Sequence, residues 1–505
     1  MSWTEGYVLE VNYTSGFYGE LSPLKLGLAT LIKSIQPPDS GQEFTYCELA
    51  CGQGFTTNIL AATYPHAQFY ANDFNPSHIA TARDLAAKAG MKNVLFFDDS
   101  FEEFLERDLP QFDFISLHGT YSWISARNRQ AIVNFIRRNL KVGGLVYISY
   151  NALPGWSAAM PIQALMVRHG QHSSELLTRI EQALNFTGEL LEANASYFAQ
   201  NPILQNRYER LKEQNRYYLA HEYFNQDWNC FYFDEVAKEL EDAKLKYVGS
   251  AHINDHIDTV NLSPVAQEKL AKISDPIYRE VVRDFFVNSQ FRRDIFSRGY
   301  LILTSEEQLK QLQETQFALI VNPANIKFEH QFPVGEVKLQ ETVYQPICQV
   351  LAESPQTLQQ LQNHPKTSNI NLNGLYQALM ILTGIGYIHP AVDDQTCQQR
   401  KPSTDAFNNA VKAKAVYSEE LSFLASPLIG TGVLVNRLEQ LFLLAKSSNQ
   451  DAVEFVWQNL ASQGKKVVKD GKPLETEEEN IAHLKTVYEE FSQGRLLTLQ
   501  KLGIE

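Results

Sequence analysis

The sequence predicts an α/β fold, with a mostly parallel sheet in its N-terminal part. The first observation is the stretch 44–62, where a short apolar strand meets a glycine turn and then apolar residues at helical spacing. The second is that further strand–helix units follow as far as residue 151, with polar or glycine residues where each strand ends. Such repetition is typical of parallel strands joined by helices, which bind ligands at the carboxyl ends of the strands.

The glycine turn follows the strand residues up to Leu49. Gly52 and Gly54 have no Cβ, so the backbone can turn sharply there and a ligand can approach closely. The helix after the turn would present free N–H groups and the positive end of its dipole. A dinucleotide-binding turn would have a third glycine where Thr57 stands, and Glu48 would repel a pyrophosphate. The turn therefore favours a ligand with a ribose, a carboxylate or an ammonium group.

The composition is that of an ordinary globular protein, with 44% hydrophobic and 20% charged residues, and the length suggests about two to four domains. No run of residues is long and apolar enough for membrane insertion, and the N-terminal end lacks the pattern of a signal peptide. Five scattered cysteines indicate reduced thiols, and we therefore predict a cytoplasmic location and no metal site. The net charge of −14 disfavours nucleic acid as a partner.

Two further features lie beside the glycine turn in the predicted site. Asp73 lies about twenty residues beyond the turn, where a carboxylate can accept hydrogen bonds from both hydroxyls of a ribose. The alternative role for Asp73 is a helix cap, which Asn75 can supply instead. The aromatic segment that includes Phe17 and Tyr18 is either a lid, whose rings would attract a cation, or simply packs over the sheet.

Several motifs resemble one family of enzymes. The motif E-x-x-C-G-x-G at residues 48–54 resembles the first motif of the class I S-adenosylmethionine-dependent methyltransferases. The segments Tyr13–Pro23, His118–Trp123 and Tyr150–Trp156 resemble the bacterial methyltransferases that carry a methyltransferase regulatory domain, although Ser15 stands where that family often has histidine. That family includes bacterial outer-membrane-protein lysine methyltransferases. The resemblance covers roughly residues 10–330.

The resemblance implies a Rossmann-like sheet and S-adenosyl-L-methionine as cofactor. It also implies that Asp99 or Ser100 could accept a hydrogen bond from the adenine amine, while Phe101 lies against the ring or in the core. The residues expected to contact the cofactor are Tyr13, Glu48, Ala50, Cys51, Gly52, Gly54, Asp73, Phe74, Asp99, Ser100, Phe101 and His118.

The corner after the fourth strand faces the methyl group in the class I fold, and we expect the catalytic residues there. Methyl transfer requires alignment of the reactants and exclusion of water. A lysine acceptor has a free pKa of about 10.4, which an apolar aromatic channel would lower by desolvation. His118 and Tyr121 could instead assist deprotonation. The candidate catalytic residues are His118, Tyr121, Trp123 and Tyr150, and Trp156 is a further candidate for the channel wall.

The rest of the chain suggests additional modules. Residues 1–330 would form the methyltransferase domain, with a helical insertion at about 157–230 that covers the mouth of the site and a regulatory region at about 221–330. A linker is predicted at 323–333. The pattern at 334–395 indicates a winged-helix-like module, but residues 369–388 contain no Lys or Arg, so we predict a role in protein interaction or structure. Residues 404–505 should be mostly helical, with a basic hairpin or loop at 464–472.

The leading hypothesis is a cytoplasmic methyltransferase, monomeric or homodimeric, that methylates lysine side chains of a protein substrate. One alternative is a methyltransferase for a small molecule or secondary metabolite. Another is a cofactor-sensing or scaffold protein that no longer catalyses. The presence of the turn, Asp73 and Asp99 argues against this last alternative.

Overall fold

The structure is a computed structural model that describes residues 7–8, 15–170 and 175–505. Its centre is a seven-stranded sheet with the strand order β3-β2-β1-β4-β5-β7-β6. The strands are β1 Thr45–Leu49, β2 Gln68–Asn72, β3 Val94–Phe97, β4 Phe112–Leu117, β5 Leu140–Asn151, β6 Lys246–Ser250 and β7 Phe291–Ser297. Strands β1 to β5 pair in parallel, and β7 runs antiparallel to both β5 and β6. The predicted α/β class with a mostly parallel, Rossmann-like sheet is confirmed.

Helices cover both faces of this sheet. They are α1 Pro23–Ile32, α2 Phe55–Thr63, α3 Pro76–Lys88, α4 Phe101–Glu106 and α5 Ala126–Asn139. Tyr46 packs in the core on one face, and its neighbour Cys47 packs in the core on the other. Burial on both faces explains why these strands are apolar along most of their length.

The predicted helical insertion is confirmed. It consists of α6 Met160–Gly170, α7 Leu176–Glu192, α8 Ser196–Gln200, α9 Ile203–Glu213 and α10 Arg216–Tyr223. These helices bury an apolar cluster of their own that includes Trp156, Ile180 and Leu219. The sheet is then completed by α11 Phe233–Glu241, β6, α12 Asp258–Asn261, α13 Pro264–Ala271, α14 Pro276–Val287 and β7.

The linker prediction is wrong. After α15 Ser305–Glu314 and β8 Gln316–Leu319, the strand β9 Glu329–Phe332 forms an antiparallel hairpin with β10 Gly335–Lys338. The winged-helix prediction is not confirmed, although the helices and strands α16 Glu341–Glu353, β11 Gln356–Thr357, α17 Leu358–Asn363, α18 Leu372–Gly384 and β12 Ile388–Ala391 are present. A wing would need a strand after β12, but the partner of β12 is β8, which precedes the module.

The C-terminal region is mostly helical, as predicted. It comprises α19 Asp394–Ala415, β13 Phe423–Ser426, β14 Thr431–Leu434, α20 Arg437–Ser447, α21 Ala452–Ser462, β15 Val468–Lys469, β16 Lys472–Pro473, α22 Glu477–Glu490, a π-helical turn and α23 Leu496–Lys501. The basic hairpin is confirmed as β15–β16. The core of this region includes Phe55 and Ile59 of α2, so the region packs directly on the helix that follows the glycine turn. Within the described part of the chain, every helix is too short or too polar to cross a lipid bilayer.

Candidate active site

A cavity opens where the parallel strands end, and the helical insertion lies across it. It encloses about 1240 Å³ of empty space, some of it continuous with solvent. Most of the predicted cofactor contacts line it, namely Glu48, Ala50, Cys51, Gly52, Asp73, Phe74, Asp99, Ser100, Phe101 and His118. Tyr13 lies outside the described residues, and Gly54 does not line the cavity. A group of three or more side chains suited to holding a metal ion does not occur within the described residues.

The two glycines of the turn have different roles. Both have positive φ, +55° at Gly52 and +67° at Gly54. A Cβ on Gly52 would meet nothing within 4 Å, so its backbone borders open space that a ligand can enter. A Cβ on Gly54 would lie 2.6 Å from Ala82 Cβ and 2.7 Å from the Phe96 ring. Gly54 is therefore required for close packing of α2 against its neighbours, and its contact with the cofactor stays a prediction.

Backbone strain is also present in this turn. Ala50 has φ of +54°, which is unusual for a residue with a Cβ and costs about 1 kcal/mol or more. Its neighbour Cys51 donates its backbone N–H to the Asn72 carbonyl at 2.9 Å, and this bond holds the turn to the end of β2. Strain retained at the edge of a cavity is typical of a ligand-binding turn.

Glu48 is an acidic group buried at the base of the cavity. Its carboxylate accepts a hydrogen bond from Thr57 Oγ1. Burial, against the opposing hydrogen bond from Thr57 and with a smaller contribution from the nearby Asp73, raises the pKa of Glu48 to about 7. A cationic group that enters the cavity would lower this pKa again, because an opposite charge favours the ionised carboxylate.

Asp73 bonds to the turn as well as facing the cavity. Its Oδ2 accepts the Gly52 N–H at 3.0 Å, and its Oδ1 accepts the Asn75 N–H at 2.9 Å and lies 3.1 Å from His78 Nδ1. A carboxylate offers about four acceptor directions, so one direction on Oδ2 remains for a ligand hydroxyl. The helix cap is Asn75, whose side chain accepts the Ser77 N–H at 2.9 Å, as predicted.

The corner after β3 already has protein partners for its polar groups. Asp99 forms a two-point ion pair with Arg107, with Nη2 2.8 Å from Oδ1. Ser100 is the N-cap of α4, and its hydroxyl donates to Glu103 Oε2 at 2.8 Å. Contact of Asp99 or Ser100 with adenine stays a prediction, and it would have to be made in addition to these bonds.

His118 forms part of an aromatic wall. Its ring stacks on Tyr18 with 3.6 Å between centroids, and its Nδ1 lies 2.8 Å from the Tyr147 hydroxyl. Burial lowers the pKa of His118 to about 4, although the nearby Glu20 opposes this shift. The imidazole is therefore neutral at neutral pH and is too weak a base to deprotonate an alkylammonium ion efficiently.

Two of the predicted catalytic residues do not reach the cavity. Tyr121 is fully buried and donates its hydroxyl to Glu239, because the 3₁₀ turn of residues 121–123 directs Tyr121 and Trp123 to different sides. Tyr150 is also fully buried and donates its hydroxyl to Asp294 Oδ2 at 2.7 Å, on the neighbouring strand β7. These assignments are corrected accordingly, and Trp123 does line the cavity.

The predicted role of Trp156 in the channel wall is also wrong. Trp156 packs in the core of the helical insertion and does not line the cavity. The guanidinium carbon of Arg207 lies 3.7 Å from the centroid of its ring. Trp156 therefore packs at the point where the insertion begins.

Sequence reasoning missed the residues that the insertion contributes. His221, Glu222, Asn225 and Asp227, at and after the end of α10, line the cavity. The backbone carbonyl of Glu222 accepts two indole N–H bonds, from Trp123 at 3.2 Å and from Trp228 at 2.9 Å. The only signal in the sequence is a short polar run that ends an insertion helix, and its contact with Trp123 spans about one hundred residues.

Glu222 lines this cavity, and its carboxylate has no counter-charge in the part of the chain that the structure describes. Among the described residues, no hydrogen bond or ion pair to its side chain is present. Burial alone raises the pKa of Glu222 to about 8. The ionised form, which can accept a proton, is therefore populated only as the pH approaches about 8.

Comparisons with known proteins decide the family. A model of a methyltransferase domain matches residues 40–247, and a model described as a predicted methyltransferase regulatory domain matches residues 215–298. The chain belongs to the class I S-adenosylmethionine-dependent methyltransferases with a regulatory domain. This methyltransferase is 65% identical over 505 residues to uncharacterized protein sll1526 of Synechocystis sp., with 100% of both chains covered.

More distant similarities extend this comparison. The structure of PKMT2 from Rickettsia typhi in complex with AdoHcy matches with a TM-score of 0.70 at 19% identity, covering 95% of this chain and 98% of that one. At that identity the match shows a shared fold. A malonyl-[acyl-carrier protein] O-methyltransferase of Bacillus anthracis is 28% identical over 102 residues, which is 20% of this chain and 35% of that one.

The cavity fits S-adenosylmethionine, the cofactor of this methyltransferase. Gly52 leaves open space at the turn, Asp73 retains an acceptor direction for a hydroxyl, and Glu48 is a buried carboxylate that would be stabilised by an ammonium. These groups match the ribose and the amino-acid half of the cofactor in chemical character. When bound, the cofactor supplies a methyl group on a sulfonium, and its transfer to an acceptor forms the new bond while the S–C electron pair returns to sulfur.

Proposed function

We propose that this methyltransferase transfers methyl groups to the side-chain amine of lysine in a protein substrate. The observation that carries the proposal is Glu222, which lines the cavity from α10 and whose carboxylate has no counter-charge among the described residues. A cytoplasmic location and a monomeric or homodimeric state belong to the same proposal.

Charge in the cavity favours a cationic acceptor. Glu222 and Asp227 line the side supplied by the insertion, and Glu48 and Asp73 line the side supplied by the sheet. In their ionised forms these groups would attract a lysine ammonium, whose charge would in turn favour the ionised form of Glu222, and they would repel an acceptor that is itself a carboxylate. Similarity to an O-methyltransferase of a malonyl group therefore supports the shared fold but not the shared substrate.

Glu222 would prepare the amine for transfer. An ammonium nitrogen has no lone pair, so one proton must leave it before the N–C bond can form. The Glu222 carboxylate accepts that proton, and a base with a pKa near 8 suits this transfer better than an unperturbed glutamate. Trp123 holds the Glu222 backbone by its indole N–H and adds an aromatic wall that excludes water.

Replacing Glu222 by glutamine tests the proposal. We expect kcat to fall about a hundredfold on lysine-bearing proteins, because general-base catalysis is lost while the shape is retained. In the wild type, kcat/KM should rise as pH increases through about 8, the pKa of Glu222, and this limb should disappear in E222Q. The measurement is transfer of labelled methyl from S-adenosylmethionine to a panel of lysine-bearing proteins and to small amines, followed by mass spectrometry of the modified atom.

Two controls define this experiment. Glu213→Gln, an exposed residue of α9, should leave kcat within about twofold. Binding of S-adenosylhomocysteine to E222Q should stay near the wild-type affinity, since the sheet side of the cavity is unchanged. Methylation of small amines alone would replace the protein substrate by a small molecule, and unchanged turnover in E222Q would remove Glu222 from the mechanism.

Trp123 and Tyr121 provide a second prediction. Trp123→Ala should lower turnover about tenfold, because it removes a cavity wall and one of two bonds that hold Glu222. Tyr121→Phe should leave turnover unchanged, because the Tyr121 hydroxyl faces Glu239 rather than the cavity. Steady-state kinetics of both variants check this, and a large loss in Y121F would restore that residue to the site.

A further inference from the structure

Residues 15–22, here called the closing segment, form one side of the cofactor cavity. Ser15, Gly16 and Tyr18 line the cavity. The Tyr18 ring stacks on His118, and the Tyr18 N–H donates to Thr56 Oγ1 on α2 at 3.2 Å. Tyr18 therefore lies between His118 and α2 as part of the cavity wall.

The outer side of the closing segment rests on the hairpin β13–β14. The Phe17 ring lies 4.6 Å from the Phe423 ring, measured between centroids. A Cβ on Gly432 would lie 2.8 Å from the Phe17 ring, so the ring covers the bare backbone of β14. Ser22 Oγ also donates to the Gly430 carbonyl at 3.2 Å. The hairpin thus holds the closing segment by packing and by a hydrogen bond.

Helix α2, whose Thr56 hydroxyl accepts the Tyr18 N–H, also packs on the C-terminal region. Phe55 at the start of α2 lies 6.3 Å from Phe407 of α19, between ring centroids, and lines the cavity as well. Arg400 of α19 lies 4.3 Å from the ring centroid of Tyr64, just beyond the end of α2. Both partners of the Tyr18–Thr56 bond are therefore positioned by the C-terminal region.

We propose that the C-terminal region contributes to cofactor binding by positioning the closing segment. Phe17 and Gly432 are the positioning residues, and they hold Tyr18 over the cavity. Two adjacent residues of the closing segment contact different parts of the protein. Phe17 packs against β14 on the outer side, and Tyr18 stacks on His118 in the cavity wall. Loss of the contact between Phe17 and Gly432 consequently weakens the stacking of Tyr18 on His118. The region sets cofactor affinity without contributing a side chain of its own to the cavity lining.

The size of the effect follows from the population of the closed arrangement. A ligand that needs one conformation loses apparent affinity in proportion to the fraction of molecules that no longer adopt it. If loss of the Phe17 ring leaves the segment closed in about one molecule in ten, the Kd for S-adenosylhomocysteine rises about tenfold.

The test compares Phe17→Ala and Gly432→Ala with the wild-type full chain. Gly432→Ala places a methyl group against the Phe17 ring from the other partner, and the backbone at Gly432 has no positive φ to add strain. Both variants should raise the Kd for S-adenosylhomocysteine about tenfold in calorimetry. Both should also speed hydrogen exchange at the Tyr18 amide in the ligand-free protein, a readout that needs neither acceptor nor turnover.

Controls separate positioning from loss of stability. Leu434→Ala, two residues further along β14, removes a side chain that is 56% exposed and should change neither readout. Phe17→Leu keeps an apolar side chain against Gly432 and should restore most of the affinity. Wild-type affinity for S-adenosylhomocysteine and a wild-type exchange rate at the Tyr18 amide in a folded Phe17→Ala variant would overturn the proposal. If Gly432→Ala does not fold, the Phe17→Ala variant alone tests the proposal.

Discussion

Replacing Asp73 by alanine should raise the Kd for S-adenosylmethionine by at least about a hundredfold. The variant would lose the acceptor direction that Oδ2 offers to a ligand hydroxyl, and a hydrogen bond to a charged group contributes about 1.5–3 kcal/mol. It would also leave the N–H groups of Gly52 and Asn75 without their acceptor, at 3.0 and 2.9 Å in the wild type. The turn would then be less ordered before the cofactor binds, which adds to the loss.

Calorimetric titration with S-adenosylmethionine measures this effect. Asp98→Ala is the matched control, because Asp98 is an acid just beyond β3 that does not line the cavity and pairs with Arg83 at 3.6 Å on the surface. D98A should bind as the wild type does. Wild-type affinity in D73A would show that the cofactor needs neither a hydrogen bond to Asp73 nor the order that Asp73 gives to the turn.

The side chains that could be placed from the sequence are those with local signals. Gly52 and Asp73 follow strands whose apolar pattern is plain, and parallel strands bring such ends to one edge of the sheet. Asn75 was recognisable as a cap because capping depends on the next few residues. The mostly parallel sheet and the helical insertion followed from the same local periodicities, together with the family resemblance.

What escaped prediction depends on contacts between distant parts of the chain. Glu222 enters the site because the indole of Trp123 binds its carbonyl, and no local pattern encodes that pairing. The direction of the Tyr121 side chain depends on a single 3₁₀ turn, which no longer-range pattern in the sequence indicates. The winged-helix prediction also turns on such a contact and stays unconfirmed, because β12 pairs with β8 from before the module rather than with a later strand.

Stability of the completed sheet depends on one buried arginine. Arg292 on β7 donates to both carboxylate oxygens of Asp284, at 2.8 and 2.9 Å, and to both of Asp294, at 2.8 and 3.0 Å. It also reaches Glu280 and the Tyr247 hydroxyl, each at 3.2 Å. Arg292 is 7% exposed and Asp294 is 1% exposed, so solvent cannot replace these bonds.

Arg292→Met should therefore lower the free energy of unfolding by about 3–5 kcal/mol at pH 8, because it leaves buried carboxylates uncompensated. Burial already raises the pKa of Asp284 to about 7, and loss of the guanidinium would raise it further. A carboxyl group whose folded-state pKa exceeds its unfolded value of about 4 destabilises the fold increasingly as pH rises toward the folded pKa. The deficit of R292M should consequently be small at pH 5 and large at pH 8.

Urea unfolding at both pH values measures that difference. Arg279→Met, an exposed arginine on α14, is the matched control and should change stability by no more than about 0.5 kcal/mol. Adding Asp284→Asn and Asp294→Asn to R292M should recover much of the loss, since the buried negative charges are removed with the positive one. An equal deficit at both pH values would instead attribute the effect to lost packing, and no deficit at pH 8 would show that the cluster does not stabilise the sheet.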